Sequence, residues 1–476
     1  MKMKEESKNF QTRRDFLQSA AVTGTTLILS PMISAQEESE KTPDDINIAL
    51  IGAGAQGQVL LNACRNIPGI RFKAVCDIWE NYNRKRTARI LKAYGHNVNE
   101  YEDYKQMLAE ENNLDAAIIA TPDFCHAEQT IACLQAGLHV YCEKEMAKTI
   151  EEAQKMVQAA RQTGKLLQIG RQRRSSPRYI HCYQKLMKEY GLFGQIKAVN
   201  GQWNRKIYDT LGWPVNAPIA QETLTKYGYN SMQQFRNWQW YKALGNGRVV
   251  DFGAHQIDIF NWFLEATPKA ITANGNINYN KYGYEWYDTV LSLIEYDTPH
   301  GNVSASYQTM PYDEGYKSYE KFIGDQGTFW ISEHNSRNMI YPEPTAENSK
   351  KWYQCVQDGD LIATNEIMKM LESMDPENFA HLFRAEETPP PVFGEENKSE
   401  INSAVIGKPS LHLPLTLSDK PYTQPHLENF FDTIRGKAQL NCPAELGYKT
   451  AAAVLKINEA IETGRKIEFK PDDFVV

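Results

Sequence analysis

The sequence predicts an α/β protein: an N-terminal doubly wound parallel sheet, then an α+β domain with a large, mostly antiparallel open sheet. Three observations carry that expectation. Between Ile46 and Gly170 short apolar runs alternate with helical patterns, which is how crossover units build a parallel sheet. After Gly170 the runs lengthen, alternate apolar with polar residues and gain aromatics, as antiparallel strands with one covered face do. A chain of 476 residues also exceeds one ordinary core, so two domains are expected, 46–170 and 171–476.

In chain order, residues 1–35 stand apart. Thr12-Arg13-Arg14-Asp15-Phe16-Leu17-Gln18 precedes a short run of small, weakly apolar residues ending at Ile33-Ser34-Ala35, and this resembles a twin-arginine export signal. Residues 36–45 read as a polar linker. The apolar run is shorter than the roughly 18–20 residues a bilayer crossing needs, so no permanent span is expected after cleavage. A periplasmic or otherwise exported protein is the expectation.

From Ile46 an apolar strand pattern runs into Gly52-Ala53-Gly54-Ala55-Gln56-Gly57, followed by a helical segment and a second strand ending at Asp77. In this context the glycines read as a dinucleotide turn of a Rossmann fold. Gly52 permits the tight turn, Gly54 lets backbone approach a pyrophosphate, and Gly57 lets helix pack on strand. The pyrophosphate would rest on the helix opening near Ala55 and Gln56. Asp77 is placed to accept from ribose hydroxyls and to repel a 2'-phosphate, so NAD is expected rather than NADP.

The strands that follow are FKAVCD, DAAIIATP, LHVYCEK and KLLQIGRQ. Thr149 and Glu152 form a capping-box pattern, and Gly137 and Gly164 are placed to end helices. Ligands of doubly wound sheets lie at the carboxyl ends of strands, which directs Thr121, Pro122 and Asp123, with His126 nearby as a cap or packing residue, and Glu143 and Lys144 toward the cofactor. A lysine there can hydrogen-bond a substrate hydroxyl and stabilise its alkoxide, although a surface ion pair with a neighbouring glutamate fits the local sequence as well.

Beyond Gly170 the predicted strands are GQIKAVNGQWNR, KAITANGNINYN, WYDTVLSLIEYD, NVSASYQTM and YEKFIGDQGTFWIS. Residues 341–411, rich in Pro, Glu and Asn, read as an irregular insertion or lid. Two amphipathic helices, HLENFFDTIRG and AELGYKTAAAVLKINEAIETG, and the strand-like KIEFKP close the chain.

Asp251-Phe252-Gly253-Ala254-His255 opens a helical pattern, and residues four apart share a helix face. An imidazole beside a carboxylate can accept a hydroxyl proton, though the same spacing allows a metal pair or a helix cap with a packed histidine. Arg171, Arg174, Tyr179, Arg236, Trp238, Trp240 and Tyr241 offer donors and flat faces for gripping a polyol, against the alternative that the tryptophans fill a core. Eight cysteines include no CxxC pair, so no metal site is expected and buried free thiols are favoured, with disulfides left open. The net charge of −7 without a basic run argues against nucleic acid.

The motifs GAGAQG with VCD, TPDFCH, CEKEMA and DFGAHQID resemble those of the glucose-fructose oxidoreductase, inositol dehydrogenase and rhizopine catabolism oxidoreductase family. The resemblance covers residues 46–476. It implies that Lys144, Asp251 and His255 form the catalytic group around the nicotinamide, Lys144 as hydroxyl ligand, His255 as proton acceptor and substrate contact, and Asp251 tuning His255. Glu145 stands where the family usually has proline, which removes a backbone constraint and adds a charge beside Lys144. Family members commonly pair through the open sheet, so a homo-oligomer, dimer or tetramer, is expected.

These readings converge on an exported NAD-dependent oxidoreductase moving hydride between a secondary hydroxyl, or ketone, of a sugar or glycoside and a tightly held cofactor. A glycosidase acting by transient oxidation and elimination on bound NAD is one alternative. A non-catalytic nucleotide-binding sensor is another.

Overall fold

Ile46–Ile51 (β1) buries all six side chains, as a strand covered on both faces must. A computed structural model describes residues 44–476, apart from 207–209, 280–281, 314, 316, 335–336, 344–346, 372–373, 384–409 and 418–419. The export-signal pattern at 1–35 lies outside the described residues. So does the linker up to residue 43.

Ile70–Cys76 (β2), Asn99–Tyr101 (β3), Ala116–Ile119 (β4), His139–Cys142 (β5) and Leu167–Ile169 (β6) join β1 in one six-stranded sheet, ordered β3-β2-β1-β4-β5-β6. Every pairing in it is parallel. Strand order reverses between β1 and β4, so the crevice at their carboxyl ends, at Gly52 and Thr121, is where such a sheet holds a ligand. The helices are punctuated as their sequences require: Thr149 and Glu152 make a reciprocal capping box, and Gly164 closes that helix at φ 65°.

Ile196–Trp203 (β7), Pro268–Asn276 (β8), Thr289–Thr298 (β9), Gly301–Thr309 (β10), Ser318–Gly324 (β11), Gly327–Ile331 (β12), Met339–Pro342 (β13) and Ile467–Glu468 (β14) form the second sheet. Its order is β13-β12-β11-β7-β10-β9-β8-β14, antiparallel except for β7 against β10. The segment expected as one strand at 319–332 turns at Asp325-Gln326 into the β11–β12 hairpin. Strands β3 and β13 were not legible in the sequence: Asn99-Glu100-Tyr101 is mostly polar and exposed, and Met339–Pro342 runs into the Pro- and Glu-rich segment, so neither stands out as an apolar run.

Alternate residues of β9 are buried, under the Gly247–Leu264 helix and its neighbours, and alternate ones face outward. Close approach of that helix depends on two glycines. A Cβ at Gly201 would lie 2.6 Å from Phe260, and one at Gly253 would lie 2.9 Å from Tyr307. The Ala444–Thr463 helix then presses Gly447 against Ile169 of β6, joining the two sheets' cores. All eight cysteines are free thiols, seven of them buried.

The 341–411 segment differs from expectation. Its described part forms the helices Ser349–Gln357 and Asn365–Leu371 and bridges Ile340 to Leu411, with Trp352, Cys355 and Phe379 fully buried. It is core rather than lid, because Trp352, Cys355 and Val356 share one helical face that the polar composition obscured.

The Gln424–Ile434 helix returns to the first sheet and buries Leu427, Phe430 and Phe431 against Ile48 and Leu60. Its His426 contacts Ser175 Oγ at 2.6 Å through Nδ1 and the Ile169 carbonyl at 2.9 Å through Nε2, which a neutral ring satisfies completely. Burial lowers its pKa to about 4. The unfolded ring takes up a proton near pH 6.5 and the folded one only near 4, so its stabilising contribution is complete above 6.5 and is lost as pH falls toward 4. Thermal melts across that window should show a loss approaching about 3 kcal/mol, with a flatter slope for His426→Gln.

Candidate active site

The glycine turn is crowded where it must be and open where a ligand would lie. Gly52 has φ 88°, and a Cβ on it would stand 2.6 Å from the Ala120 carbonyl carbon. A Cβ on Gly57 would collide with the Gly52 carbonyl. Gly54 differs: among the described residues the only atom within 4 Å of a Cβ there is Asn83 Nδ2 at 3.9 Å, so the space above it belongs to the cleft. Gly54 also caps the Ala55–Cys64 helix without any side-chain acceptor, leaving its first N–H groups for phosphate.

Asp77 ends β2 beside this turn. Its carboxylate accepts from Ala53 N at 2.8 Å, Trp79 N at 2.7 Å and Asn83 Nδ2 at 3.1 Å. Burial raises its pKa, and these donors pull in the opposite direction. Of about four lone-pair sites three are used, so one remains for a ribose hydroxyl. A dinucleotide therefore fits the turn, the uncapped helix and the acid together.

Ala55, Gln56, Thr121, Pro122, Asp123, Glu143 and Lys144 line the same cleft of about 1280 Å³. That exceeds the 300–1,000 Å³ usual for one small ligand and leaves room for a second beside a dinucleotide. Gln56 Nε2 donates to Glu143 Oε1 at 3.0 Å, tying the glycine turn to the end of β5. Gly57 and His126 lie behind the wall. His126 is buried between the Glu145 and Thr121 carbonyls, each 2.6 Å from a ring nitrogen, and so holds loops together.

Lys144, 107 residues before Asp251 in sequence, meets it here. Its Nζ donates to the Asp251 carbonyl at 2.8 Å and forms an ion pair with the Asp251 carboxylate. Burial works against the ammonium, but Asp251, Asp123 and Glu143 outweigh it and hold the Lys144 pKa above its ordinary value. The Asp123 pKa is also raised, well above the usual carboxylate range, by burial first and then by Asp251, which favours its neutral form.

His255 lies one helical turn after Asp251, on the cleft wall, 5 % exposed. Its Nδ1 has no hydrogen-bond partner among the described residues, and its ring lies 5.3 Å from that of Trp203. Burial, reinforced by Lys144, Arg173 and Arg171, depresses its pKa well below 6.5, so the ring is neutral and able to accept a proton. The expected Asp251–His255 partnership is absent, because Asp251 turns its carboxylate to the stronger charge of Lys144.

The proposed sugar-gripping residues divide. Trp238 and Arg236 line the cleft, Arg236 stacking over Trp79 at 5.4 Å and therefore near the end of β2. The remaining five are structural. Arg171 is bound to Glu145 and Arg174 to Asp258. The Tyr179 hydroxyl donates to Glu320 at 2.7 Å, Trp240 stacks on Tyr284 at 4.9 Å, and Tyr241 packs beside them. Counting donors missed their carboxylate partners, which lie far off in sequence. Residues unforeseen at the cleft include Asn83, Trp203, Arg178, Glu333 and Tyr422, which no local pattern marked, and Phe252, which lies within the Asp251–His255 motif without having been assigned a role.

The arrangement sets a dinucleotide-shaped turn and the helix carrying Asp251 and His255 on one cleft, a candidate active site of the kind an oxidoreductase needs. Residues 46–171 match the model of the oxidoreductase family with NAD-binding Rossmann fold, and residues 220–330 match that of the GFO/IDH/MocA C-terminal domain. Both matched stretches are domains of the Gfo/Idh/MocA family, and the N-terminal one binds NAD. It is 26 % identical to an inositol 2-dehydrogenase of Rubrobacter xylanophilus, over 60 % of this chain and 71 % of that one. An inositol 2-dehydrogenase of Salmonella typhimurium is 29 % identical over 48 % of this chain and 56 % of its own length. In fold it is similar to the WlbA dehydrogenase of Bordetella pertussis, solved with NADH and UDP-GlcNAcA, at 17 % identity and TM-score 0.57 over 90 % of this chain and all of that one.

Proposed function

We propose that this protein is an exported NAD-dependent dehydrogenase that oxidises a secondary hydroxyl of a sugar, polyol or glycoside, or reduces the matching ketone. The observation that carries the reading is the meeting of Lys144, Asp251 and His255 on the wall of the cleft that contains the glycine turn. Relatives named as inositol 2-dehydrogenases support a cyclic polyol or sugar as the substrate class. Bound NAD supplies the hydride acceptor. Lys144 donates a hydrogen bond to the reacting oxygen and stabilises its developing negative charge; neutral His255 takes the hydroxyl proton on the exposed side of its ring; Asp251 keeps Lys144 protonated and aimed. Trp203, Phe252 and Trp238 offer flat faces to the C–H side of a sugar. The test is a panel of polyols, sugars and glycosides assayed for ketone formation with NADH; no turnover on any of them would sink the reading.

Export is supported by the Arg13-Arg14 pattern, and tight retention of NAD follows from it, since little nucleotide is free outside the cytoplasm. A second feature agrees. Trp79, two residues past Asp77, is buried beneath residues 213–244, where its Nε1 donates to the Ala217 carbonyl at 2.8 Å and Met232, Phe235 and Leu244 cover it. Trp79→Ala should open this cover and speed NADH release about tenfold or more in stopped-flow dilution, in keeping with loss of a buried aromatic anchor. Fast release from the unaltered protein would argue against permanent retention. Pairing of two copies through the open sheet is supported by Leu291 and Leu293, which stand 50 % and 63 % exposed on β9.

A further inference from the structure

Glu145 is an acid buried beside the reactive lysine, where the family pattern usually has proline. Its carboxylate accepts from Arg171 Nη2 at 3.0 and 3.1 Å and from Met146 N at 2.8 Å, with both ionic side chains essentially inaccessible. Arg171 extends the connection. Its Nη1 donates at 2.9 Å to the carbonyl of Ala254, the residue before His255, and its Nε lies 4.0 Å from Asp258, which Arg174 and Thr450 hold in turn.

We propose that Glu145 is a positioning residue for the catalytic group: through Arg171 it clamps the end of β5, which carries Lys144, to the helix that carries Asp251 and His255. The inference rests on the dehydrogenase reading of those three residues. Two physical arguments favour positioning over simple stabilisation. A buried ion pair is commonly no more stabilising than apolar groups of the same volume. In addition, Arg171 Nε is a buried donor with no hydrogen-bond partner among the described residues, a cost that a purely stabilising contact would avoid. What the pair uniquely does is join the residue after Lys144 to the residue before His255. Proline at 145 has no carboxylate with which to do so.

The test compares E145M, R171M and the double variant E145M/R171M with the unaltered protein, all loaded with NAD. Each single variant strands one buried charge, so both should lower the Tm, whereas the double strands neither and should recover most of it. Catalysis should not recover. We expect kcat of the double variant to stay about 30-fold or more below normal, because small misplacements of reacting groups cost up to about 100-fold, with the Kd for NADH within about threefold. Recovery of kcat together with Tm would reduce Glu145 to a structural role and overturn the proposal. A readout independent of turnover is the rate at which acetic anhydride labels Lys144, followed by peptide mass spectrometry. It should rise several-fold when the clamp is removed and the Lys144–Asp251 pair loosens, and an unchanged rate overturns positioning. If the unaltered protein oxidises no substrate, the dehydrogenase reading fails while the labelling rate still decides the clamp. Should the double variant not fold, E145Q, which keeps the shape and removes the charge, decides on the same measurements.

Discussion

Replacing Lys144 by Met lowers kcat by about 1,000-fold while the Kd for NADH changes less than about threefold, the span expected when a group acting on the reacting oxygen is lost. The split follows from position. The Lys144 ammonium is bound to Asp251 across the domain boundary, whereas the glycine turn, the Ala55–Cys64 helix and Asp77 that receive the nucleotide lie elsewhere on the cleft wall. Lys144→Arg should not rescue, because a planar fork cannot occupy the place of a compact ammonium. Nucleotide binding by fluorescence titration, beside steady-state turnover on the best substrate of the panel, separates the outcomes. Equal losses of NADH binding and turnover would show that Lys144 serves the cofactor rather than the reaction.

The second large effect falls on stability. Glu320→Ala should cost about 3–5 kcal/mol, because it leaves the Arg173 guanidinium as a buried charge deprived of its main partner. Glu320 is fully buried; it pairs with Arg173 and accepts the Tyr179 hydroxyl at 2.7 Å. Among the described residues Arg173 then keeps one carboxylate partner, Glu333, at 3.3 Å. Its guanidinium also stacks over Trp203 at 5.3 Å, and Trp203 packs on His255, so turnover measured below the melting transition should fall as well. A midpoint shift in guanidinium chloride equivalent to under about 1 kcal/mol would mean that Glu333 or water replaces Glu320 freely. Glu320→Met with Arg173→Met should recover most of the loss.

Much of the fold was legible because strand runs, a capping box and helix-closing glycines are local signals. Ile46–Ile51, Ala116–Ile119 and His139–Cys142 are continuous apolar runs, and a continuous run of that length in alternation with helices has few other places to go. The outer strands β3 and β13 are short and lack a continuous apolar run with helical flanks, Asn99-Glu100-Tyr101 being mostly polar. In 341–411 the composition misled, since a helix can bury Trp352 on one face and still be polar on average.

The candidate site was legible in a different way. Lys144, Asp251 and His255 were singled out by motif, and the structure brings them to one cleft; the bonds among them were not readable. Arg171 and Arg174 were expected to meet substrate and instead meet Glu145 and Asp258. In sequence an arginine beside tryptophans looks the same whether it grips a sugar or neutralises a buried acid. The difference lies in whether a carboxylate from another element reaches it.

The sequence by itself determined the order of elements, the turn shaped for a dinucleotide and the acid beside it, because each depends on residues within about one crossover unit and on backbone conformations only glycine tolerates. Tertiary structure alone decided which acid serves which base. Spacing alone would set Asp251 facing His255, four residues on; it faces Lys144 instead because folding brings the end of β5 against the Gly247–Leu264 helix, where a buried ammonium attracts a carboxylate more strongly than a neutral imidazole does.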